Sequence, residues 1–584
     1  MAFQLSPGVR VREIDLTNIV PAVSTSVGAF AGFFRWGPIN EIVTVSSEKE
    51  LAKFFGTPNN TELHARSFFT AASFLKYSRA LRVVRAGASE ESTGEGYTNA
   101  IDTESIYSSE GVFTDYLIRN KDDFDNLTDA SKNFAVAARY AGALGNSLGV
   151  AILTEAGWNS ASDSSNLVSA YKTEFDGAPN SDEVHILIFD EDGAISGVAG
   201  TILEKWSFLS KTAGSKTEDG TNNYYLDVIN ERSNYIYFGG YIDDDITAED
   251  GDTAVDGAYS LFYSLTNGRD SSDQGNDEVS GLLIALEEFR DSETVDIDLL
   301  FSLNDYNFTE GQTGAIEAKL NELAEFRKDL VAFISPPREI TTPYQGNTLD
   351  ADTVTDNLVS WGGRFNSSYV VLDSTAVKIY DKYNDVYRWI PACGHVAGLC
   401  ANTDDVADPW FSPAGLNRGV IRGTLKIAYN PNKTRRDDLY KIGINPIVTF
   451  VGEGTVLFGD KTSLARPSAF DRINVRRLFL VLEKSISAAA RFQLFELNDA
   501  FTRATFVNLV VPFLRTVQGR RGITDFLVVC DETNNTGDII DRNEFVADIY
   551  IKPARSINYI TLNFIATRTG ADFNEIVGLS APTA

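Results

Sequence analysis

The chain has 584 residues, a formal net charge of −30 and a 43% share of hydrophobic residues, a composition typical of a folded protein of about four domains. No apolar run approaches the roughly 20 residues that a membrane-spanning helix needs, and the start MAFQLSPGVR lacks the apolar core of a secretion signal, so we expect neither. Three cysteines are too few for a disulfide framework and predict folding in a reducing compartment: Cys393, Cys400 and Cys530.

The first predicted element is the extended arm FQLSPGVRVREIDLTNIVP, which covers residues 3–21. Apolar and polar residues alternate along it, a polar pair breaks the alternation once, and the alternation then resumes, which is typical of a strand with a bulge. No turn follows that would fold the arm back on its neighbours in sequence, so its backbone N–H and C=O groups need a partner from elsewhere. The apolar positions of the arm are Val9, Val11, Ile14 and Leu16.

Compact α/β structure is predicted after the arm and ends near Gly87. The stretch STSVGAFAGFFRWGP predicts a strand, SSEKELAKFFG and TELHARSFFTAASFLKY predict two helices, and ALRVVRAG predicts a second strand. Residues 88–132 are rich in Ser, Glu, Gly and Thr and predict a short surface module. Farther along, EVHILIFD predicts a strand, GTILEKWSFLS a helix and NNYYLDVINERSNYIYFGGY a pair of strands. Alternating helices and strands in residues 281–337 then indicate βαβ units.

The acidic excess of the chain lies in one internal segment. Residues 88–330 contain 48 acidic and 14 basic residues, whereas the rest of the chain contains 33 acidic and 37 basic residues. A solvated surface would be enough to explain an acidic segment. The contrast in charge between this segment and the rest of the chain favours a second interpretation, in which the acidic middle faces water and the two ends of the chain pack against a partner.

The last quarter of the chain has the strongest pattern. In NVRRLFLVLEKSISAAARFQLFELND, apolar residues at steps of three and four predict a helix whose apolar face contains Leu478, Leu482, Ile486, Ala489 and Phe492. A second helix, AFTRATFVNLVVPFLRTVQG, is predicted to be kinked or split at Pro512. The stretches ITDFLVVC and FVADIYIKP predict strands on either side of a polar turn. SINYITLNFIAT predicts a final strand, with one apolar face formed by Ile560, Leu562 and Phe564.

The sequence shows no motif of catalysis or ligand binding. The best phosphate-loop candidate, GTVLFGDKT, has Asp460 where the lysine of such a loop should follow the second glycine, which disfavours nucleotide binding. Cys393 and Cys400, with His395 between them, are too sparse for a zinc site, and a buried, inert role is favoured. The acidic clusters lack the full calcium-loop pattern. Residues 471–525 contain nine basic and five acidic residues, too mild a balance for a nucleic-acid interface.

Six segments, taken together and in this order, resemble the contractile tail sheath proteins of T4-like myophages. They run from the first residues into the last quarter of the chain: LSPGVRVREIDLT, VPAVSTSVGAFAGFFRWGP, SGVAGTILEKWSFLS, IPACGHVAGLCANTDD, PWFSPAGLNRG and NVRRLFLVLEKSI. The resemblance depends on the conjunction and not on any single segment. The chain departs from the family pattern after Gly87, where the protruding module is short.

The resemblance implies a multidomain α/β (α+β) fold. Both chain ends would form a discontinuous, tube-proximal core domain, with α/β and β-rich domains inserted between them. The implied division is residues 1–21 for the N-terminal arm and a core strand, 22–87 with 331–439 for a middle α/β domain, 88–132 for a short protruding module, 133–330 for an acidic outer α/β domain, and 440–584 for a C-terminal core domain whose last strand is exchanged between subunits.

The resemblance also implies a structural function and no enzymatic one. Sheath subunits form six-membered rings that stack helically around an inner tail tube and contract from a metastable extended state, which drives the tube through the host envelope. The implied partners are copies of the chain, the inner tail tube protein, and the baseplate and tail terminator proteins, with no cofactor, no metal, no nucleic acid and no membrane insertion. The implied location is the virion tail, after assembly in the host cytoplasm.

Two sets of site residues follow from this resemblance together with the residue patterns. Terminal arms of sheath subunits cross to neighbouring subunits and add strands to their sheets, a role that would fall to Val9, Val11, Ile14, Leu16, Ile560, Leu562 and Phe564. The first helix of the last quarter would face the inner tube through Arg476, Arg477, Lys484 and Arg491.

Three other functions fit parts of the sequence. The sheath of a cellular contractile injection system would share both architecture and mechanism with a phage sheath. A glycan hydrolase could place two carboxylates in the acidic middle, although it would have no use for the arms. A monomeric adhesin would need a signal or anchor sequence, which the chain does not show.

Overall fold

The computed structural model describes residues 25–87, 97–102, 117–128, 132, 134–159, 171–239, 260–270, 276–303, 310–341, 350–558 and 561–562. The helices are α1 (Glu48–Phe55), α2 (Glu62–Leu75), α3 (Lys121–Asn126), α4 (Glu155–Asn159), α5 (Tyr225–Arg232), α6 (Asn276–Glu287), α7 (Glu310–Arg327), α8 (Arg338–Thr341), α9 (Ala351–Gly362), α10 (Cys393–Val406), α11 (Lys433–Ile442), α12 (Ile473–Ala490), α13 (Ala500–Gly519) and α14 (Gly537–Asp541).

The strands are β1 (Gly28–Gly32), β2 (Ile42–Val45), β3 (Leu81–Arg85), β4 (Val136–Ala138), β5 (Leu148–Thr154), β6 (Glu183–Asp190), β7 (Thr201–Ser210), β8 (Ile236–Phe238), β9 (Ser260–Ser264), β10 (Leu299–Ser302), β11 (Val331–Ile334), β12 (Val370–Asp373), β13 (Ala376–Asp381), β14 (Val386–Pro391), β15 (Lys426–Ile427), β16 (Ile444–Asn445), β17 (Ile447–Phe450), β18 (Gly454–Leu457), β19 (Ile523–Val529) and β20 (Asp548–Pro553).

A seven-stranded sheet forms the centre of the molecule, with the strand order β16–β12–β11–β10–β1–β3–β2. Neighbouring strands are parallel except for the β2–β3 pair at one edge. Its strands are short apolar runs such as GAFAG and VAFI, because helices cover the faces of a parallel sheet. Gly28 of β1 pairs with Leu299 of β10, so a single sheet joins two distant parts of the chain.

Helix α10 packs directly against α2 because two glycines remove side chains from the contact. A Cβ atom on Gly394 would lie 2.4 Å from the carbonyl oxygen of Thr70, and one on Gly398 would lie 2.4 Å from the ring of Tyr77. His395 lies between these glycines, is fully buried, and has its Nδ1 atom 3.3 Å from the Tyr77 hydroxyl. The glycine spacing of CGHVAG therefore serves close helix packing.

An antiparallel unit is inserted between β3 and β10. It contains a four-stranded sheet of order β7–β6–β5–β9 and the pair β4–β8. Two predicted elements are wrong here: GTILEKWSFLS, predicted as a helix, is strand β7, and NNYYLDVINERSNYIYFGGY, predicted as paired strands, contains α5 and β8. The helix prediction failed because pairing with the buried strand β6 overrides the helix propensity of residues such as Leu, Glu and Lys.

Two predicted domain boundaries also differ from the structure. Helices α6 and α7 flank strand β10, which lies in the middle of the central sheet, so residues 276–303 and 310–327 belong to the central domain and not to the acidic outer domain predicted up to residue 330. The charge count concealed this because the acidic side chains of these helices, such as Glu287 and Glu322, lie on exposed surface. At the other boundary, β16 pairs with β12, so residues 444–445 complete the central sheet.

Helices α12 and α13 and the strands β19 and β20 form a C-terminal unit. Its core contains Trp410, Leu478, Leu482, Phe506, Val510, Leu514, Val517, Ile523 and Cys530. Helix α12 also contributes Ile473 and Leu480 to the core of the central sheet. Because one helix belongs to both cores, the C-terminal unit is packed onto the central domain through α12.

Candidate assembly interface

Strands β19 and β20 form an isolated antiparallel pair at the C-terminal end of the described chain. Asn534 and Asn535 shape the connection between them: the Asn534 amide donates to the carbonyl of Val529 at 2.8 Å, and the Asn535 amide donates to the carbonyl of Val546 at 2.8 Å. Within the described residues no third strand pairs with either partner, so neither outer edge is covered by a strand.

The two faces of this hairpin differ. Phe526 and Ile551 point inward and pack on the C-terminal core. On the opposite face, Leu527 and Tyr550 are direct cross-strand partners and are 58% and 60% exposed. A two-stranded ribbon with one apolar outer pair is only marginally stable by itself, so this hairpin is suited to receive further strands or a covering surface.

Helix α13 supports the inner face of the hairpin. Phe506, Val510, Leu514 and Val517 recur at steps of three and four and are all buried. The helix was predicted to be kinked or split at Pro512; it is not split, because Ala500–Gly519 form one helix that contains Pro512. Pro512 has no N–H and cannot donate to the carbonyl four residues before it. One turn farther on, the hydroxyl of Thr516 donates to the Pro512 carbonyl at 3.0 Å.

The arginine of α12 that reaches deepest into the subunit is Arg477. Its guanidinium donates to Asp404 Oδ2 at 2.6 Å, to the Cys400 carbonyl at 3.1 Å and to the Thr25 carbonyl at 3.2 Å. The side chains of Arg477 and Asp404 are 3% and 9% exposed. Burial raises the pKa of the Asp404 carboxyl, and the adjacent guanidinium opposes that shift. The hydroxyl of Thr25 also donates to Asp404 at 2.7 Å, so this cluster holds the first described residue of the chain.

Arg476 and Lys484 also have partners within the subunit. The guanidinium of Arg476 lies 4.2 Å from the ring centre of Tyr369 and 4.1 Å from that of Phe470, and burial lowers its pKa. Lys484 donates to Asp298 at 2.9 Å. The prediction that these residues and Arg477 face a tube conflicts with this packing, because their charges are neutralised or enclosed inside the subunit. Helical periodicity cannot distinguish a buried, paired arginine from an exposed one.

Arg491, the fourth residue of that prediction, directly follows α12 and is exposed. It is followed by a connection to α13 that presents large apolar side chains to the surface: Phe492, Leu494, Phe495, Leu497 and Phe501. Phe492 was predicted on the apolar face of the helix, but α12 ends before it, and 75% of it is exposed. We call residues 491–501 the apolar connection. Exposed apolar clusters of this kind mark contact surfaces.

The carboxyl edge of the central sheet, where α/β proteins place ligand sites, is closed by packing. Asp373 at the end of β12 accepts a hydrogen bond from the Ser335 hydroxyl at 2.5 Å, and the backbone N–H of Cys393 donates to the same hydroxyl at 2.8 Å. Burial raises the pKa of Asp373 to about 7 and that of Cys393 to about 12. These groups satisfy one another beneath the start of α10, an arrangement that serves structure.

The remaining sequence predictions concern ions, membranes and the arms. The structure, over its described ranges, brings together no group of three His, Cys, Asp or Glu residues that could hold a metal ion. None of its described helices is both long and apolar enough to cross a bilayer. Leu562 is described and is exposed. The other predicted strand-exchange residues lie outside the described part of the chain: Val9, Val11, Ile14, Leu16, Ile560 and Phe564.

Family models match three parts of the chain. Residues 25–86 match the tail sheath protein Gp18 domain III N-terminal region, residues 283–463 match the phage tail sheath protein central domain, and residues 465–567 match the phage tail sheath C-terminal domain. The model of the central domain begins within α6, which agrees with the assignment of α6 and β10 to the domain of the central sheet. None of these three models covers residues 87–282, which contain most of the acidic segment.

Whole-chain relatives give the same result. The tail sheath protein of Vibrio phage KVP40 is 34% identical, over 98% of this chain and 100% of the relative. The tail sheath protein of Enterobacteria phage T4 is 32% identical, over 99% of each chain. In fold, the chain resembles the crystal structure of a sheath tail protein from Listeria innocua, with a TM-score of 0.53 at 12% identity over 92% of this chain and 93% of that one.

Proposed function

The chain belongs to the family of contractile phage tail sheath proteins, which are structural proteins and not enzymes, and from this premise we propose how its own residues build a sheath. Copies of the chain form six-membered rings that stack helically around an inner tail tube. The rings contract from a metastable extended state and drive the tube through the host envelope. Baseplate and terminator proteins would contact the two ends of this assembly, which is built in the host cytoplasm.

The β19–β20 hairpin is the observation that carries this proposal. Both of its edges lack a strand partner among the described residues, and its outer face exposes Leu527 and Tyr550. The N-terminal arm and the last strand of neighbouring subunits would add to these edges through backbone hydrogen bonds, with alternate apolar side chains fixing the register. Contacts of this kind are heterologous, so they propagate into helical stacks and do not close into dimers.

The cluster around Arg477 anchors the base of such an arm to the folded subunit. Thr25 lies four residues after the end of the predicted arm, and both its carbonyl and its hydroxyl are bonded in the cluster that joins α12 to α10. A pull on an exchanged arm would therefore reach the C-terminal unit through buried, charge-assisted hydrogen bonds. This arrangement lets subunits rotate about the arm while the connection to the neighbouring subunit persists.

The apolar connection is a better candidate for the tube-facing surface than the buried arginines of α12. It combines the exposed Arg491 with five exposed apolar side chains, whereas Arg476 and Arg477 are enclosed in the subunit. We expect the inner tube to cover this surface in the extended state. The extended and contracted packings need differ by only a few kcal/mol per subunit, because the difference adds up over many coupled subunits.

A charge placed on the outer face of the hairpin tests the proposal. Leu527→Asp changes an exposed side chain, so the monomer should fold normally, but it should form no tubes at concentrations where the parent chain does. Val198→Asp is the matched control, because Val198 is also well exposed but lies in the acidic inserted unit. Electron microscopy and sedimentation measure assembly. Normal tubes from Leu527→Asp would contradict the role of the hairpin.

A further inference from the structure

A large cleft separates the C-terminal unit from the central domain. Its volume is about 1030 Å³, and its floor contains the aromatic side chains of Trp410, Phe411 and Phe458. Five cations line it: Arg418, which precedes α11, Lys433 and Arg436 from α11, and Arg521 and Arg555, which flank the hairpin in the sequence. A cleft with apolar floor and basic walls is built to hold a segment that is both apolar and acidic.

None of these cations has an acidic ion-pair partner among the described residues. Of the two carboxylates in the cleft, Asp460 is already paired with Arg472 at 2.9 Å, and Asp437 is exposed. Arg436 lies over the rings of Phe450 and Phe458 at 5.8 and 5.6 Å, so one face of the cleft is both aromatic and positively charged.

The chain itself forms one wall of this cleft as it leaves the hairpin. The N–H of Ala554 donates to the Gly522 carbonyl at 3.1 Å, the hydroxyl of Ser556 donates to Asp460 Oδ2 at 2.8 Å, and the amide of Asn558 lies 3.3 Å from the Tyr440 hydroxyl. These bonds carry the chain from the C-terminal unit onto the central domain. The chain therefore lines the cleft up to Asn558.

We propose that the segment of residues 563–584 docks in this cleft of its own subunit before assembly and leaves it when the subunit joins a sheath. Within it, DFNEIVGL carries two acidic and no basic residues, with Phe573, Ile576 and Val577 at the spacing of one helical face. These side chains match the basic walls and the aromatic floor. The N-terminal arm matches less well, because its two arginines balance its two acidic residues.

Docking within one subunit is favoured by connectivity. The segment is tethered at the cleft wall, which gives it an effective concentration on the order of millimolar for this site. The proposal rests on the proposed function in one respect: the docked state withholds the last strand from neighbouring subunits, and a growing sheath end would release it by offering hairpin edges. A free subunit would thereby stay monomeric at low concentration and would join most readily where such an end is present.

Fluorescence quenching by Trp410 tests the docking in the full-length chain. Asn574→Cys introduces a cysteine for bimane labelling, since the three native cysteines are buried. At concentrations where the protein is monomeric, contact with Trp410 should quench the dye. Trp410→Phe should abolish this quenching. Because Trp410 also donates to the Arg520 carbonyl at 3.1 Å, the double variant Arg436→Glu, Arg521→Glu provides a second test on surface residues.

The charge-reversed double variant should also lose the quenching, and added salt should weaken it in the parent chain. Arg515→Glu is the matched control, because Arg515 is an exposed residue of α13 outside the cleft, and it should keep the quenching. Equal fluorescence with and without Trp410 would overturn the proposal. So would quenching that appears only as the concentration rises, which would place the segment in the cleft of a neighbour. The comparison with and without Trp410 is made on monomers, so its result does not depend on whether the chain forms tubes.

Discussion

Replacing Arg477 with methionine tests whether its contacts with Asp404 and Thr25 join the base of the N-terminal arm to the C-terminal unit. Methionine keeps most of the volume of the side chain but removes the guanidinium that contacts Asp404, Cys400 and Thr25. The carboxylate of Asp404, which is 9% exposed, would then be buried with only the Thr25 hydroxyl as a partner. Breaking one side of a buried ion pair costs roughly 3–5 kcal/mol, most of it from the uncompensated charge.

The affected quantity is the free energy of opening α12 away from the central domain. A loss of about 3 kcal/mol corresponds to opening more often by roughly a hundredfold. Hydrogen exchange of peptides from α12, followed by mass spectrometry, measures this opening locally, which matters because a chain of several domains need not unfold in one step. Arg477→Met, Asp404→Asn should recover much of the protection, since no unpaired charge remains buried.

The pH dependence supplies a second signature. Burial already raises the pKa of Asp404, and loss of Arg477 removes the group that opposes this shift. The folded state of the variant then binds a proton more readily than the unfolded state, so its defect should shrink as the pH falls. Arg515→Met, a change at an exposed residue, is the control and should alter the free energy of opening by less than about 0.5 kcal/mol. Exchange in Arg477→Met within a few-fold of that control would refute the reasoning.

Two further predictions concern the central domain. Asp373 is buried, and burial raises its pKa to about 7 from 3.8, so the folded state holds a proton that the unfolded state has released. The free energy of unfolding should therefore fall by about 4 kcal/mol as the pH rises from about 4 to 7. Asp373→Asn should flatten this part of the pH dependence, which the midpoint of urea unfolding measures. Gly394→Ala should destabilise the chain by about 1–3 kcal/mol, because its Cβ would meet the backbone oxygen of Thr70 at 2.4 Å. Gly314→Ala in α7, with nothing within 4 Å, should raise the melting temperature slightly, since alanine is favoured over glycine in helices by about 1 kcal/mol. Equal melting temperatures for the two alanine variants would contradict the close packing of α10 on α2.

Local patterns in the sequence predicted the elements that have strong periodicity or clear end signals. The helices α1 and α2 and the strands β1, β3, β19 and β20 lie where the apolar pattern and the turn residues place them. Strand β7 was missed because its register with β6 shifts twice, which breaks the alternation that marks a strand. Charge composition misplaced α6 and α7, because an acidic surface reports exposure and not domain membership.

The surface of the C-terminal unit was harder to predict. Arg476 and Arg477 have the composition of an exposed basic stripe, and only the fold shows that Asp404 and the Tyr369 ring come from distant segments to enclose them. The apolar connection left a signal in FQLFELNDAF, where apolar residues continue past the end of the helix with no strand or helix to use them. No pattern in the sequence predicted the cleft, because its walls come from α11, the residues around Trp410 and the residues on both sides of the hairpin.

The most direct test of the whole account is negative-stain electron microscopy of the purified chain at rising concentration, beside a variant that lacks residues 1–16. The account predicts hollow tubes with a regular axial repeat from the full chain, and folded monomers from the truncated one, because the arm supplies the strand that joins subunits. Tubes from the truncated chain would contradict the arm assignment. A full chain that formed no tubes even around added inner tube protein would contradict assembly through heterologous contacts.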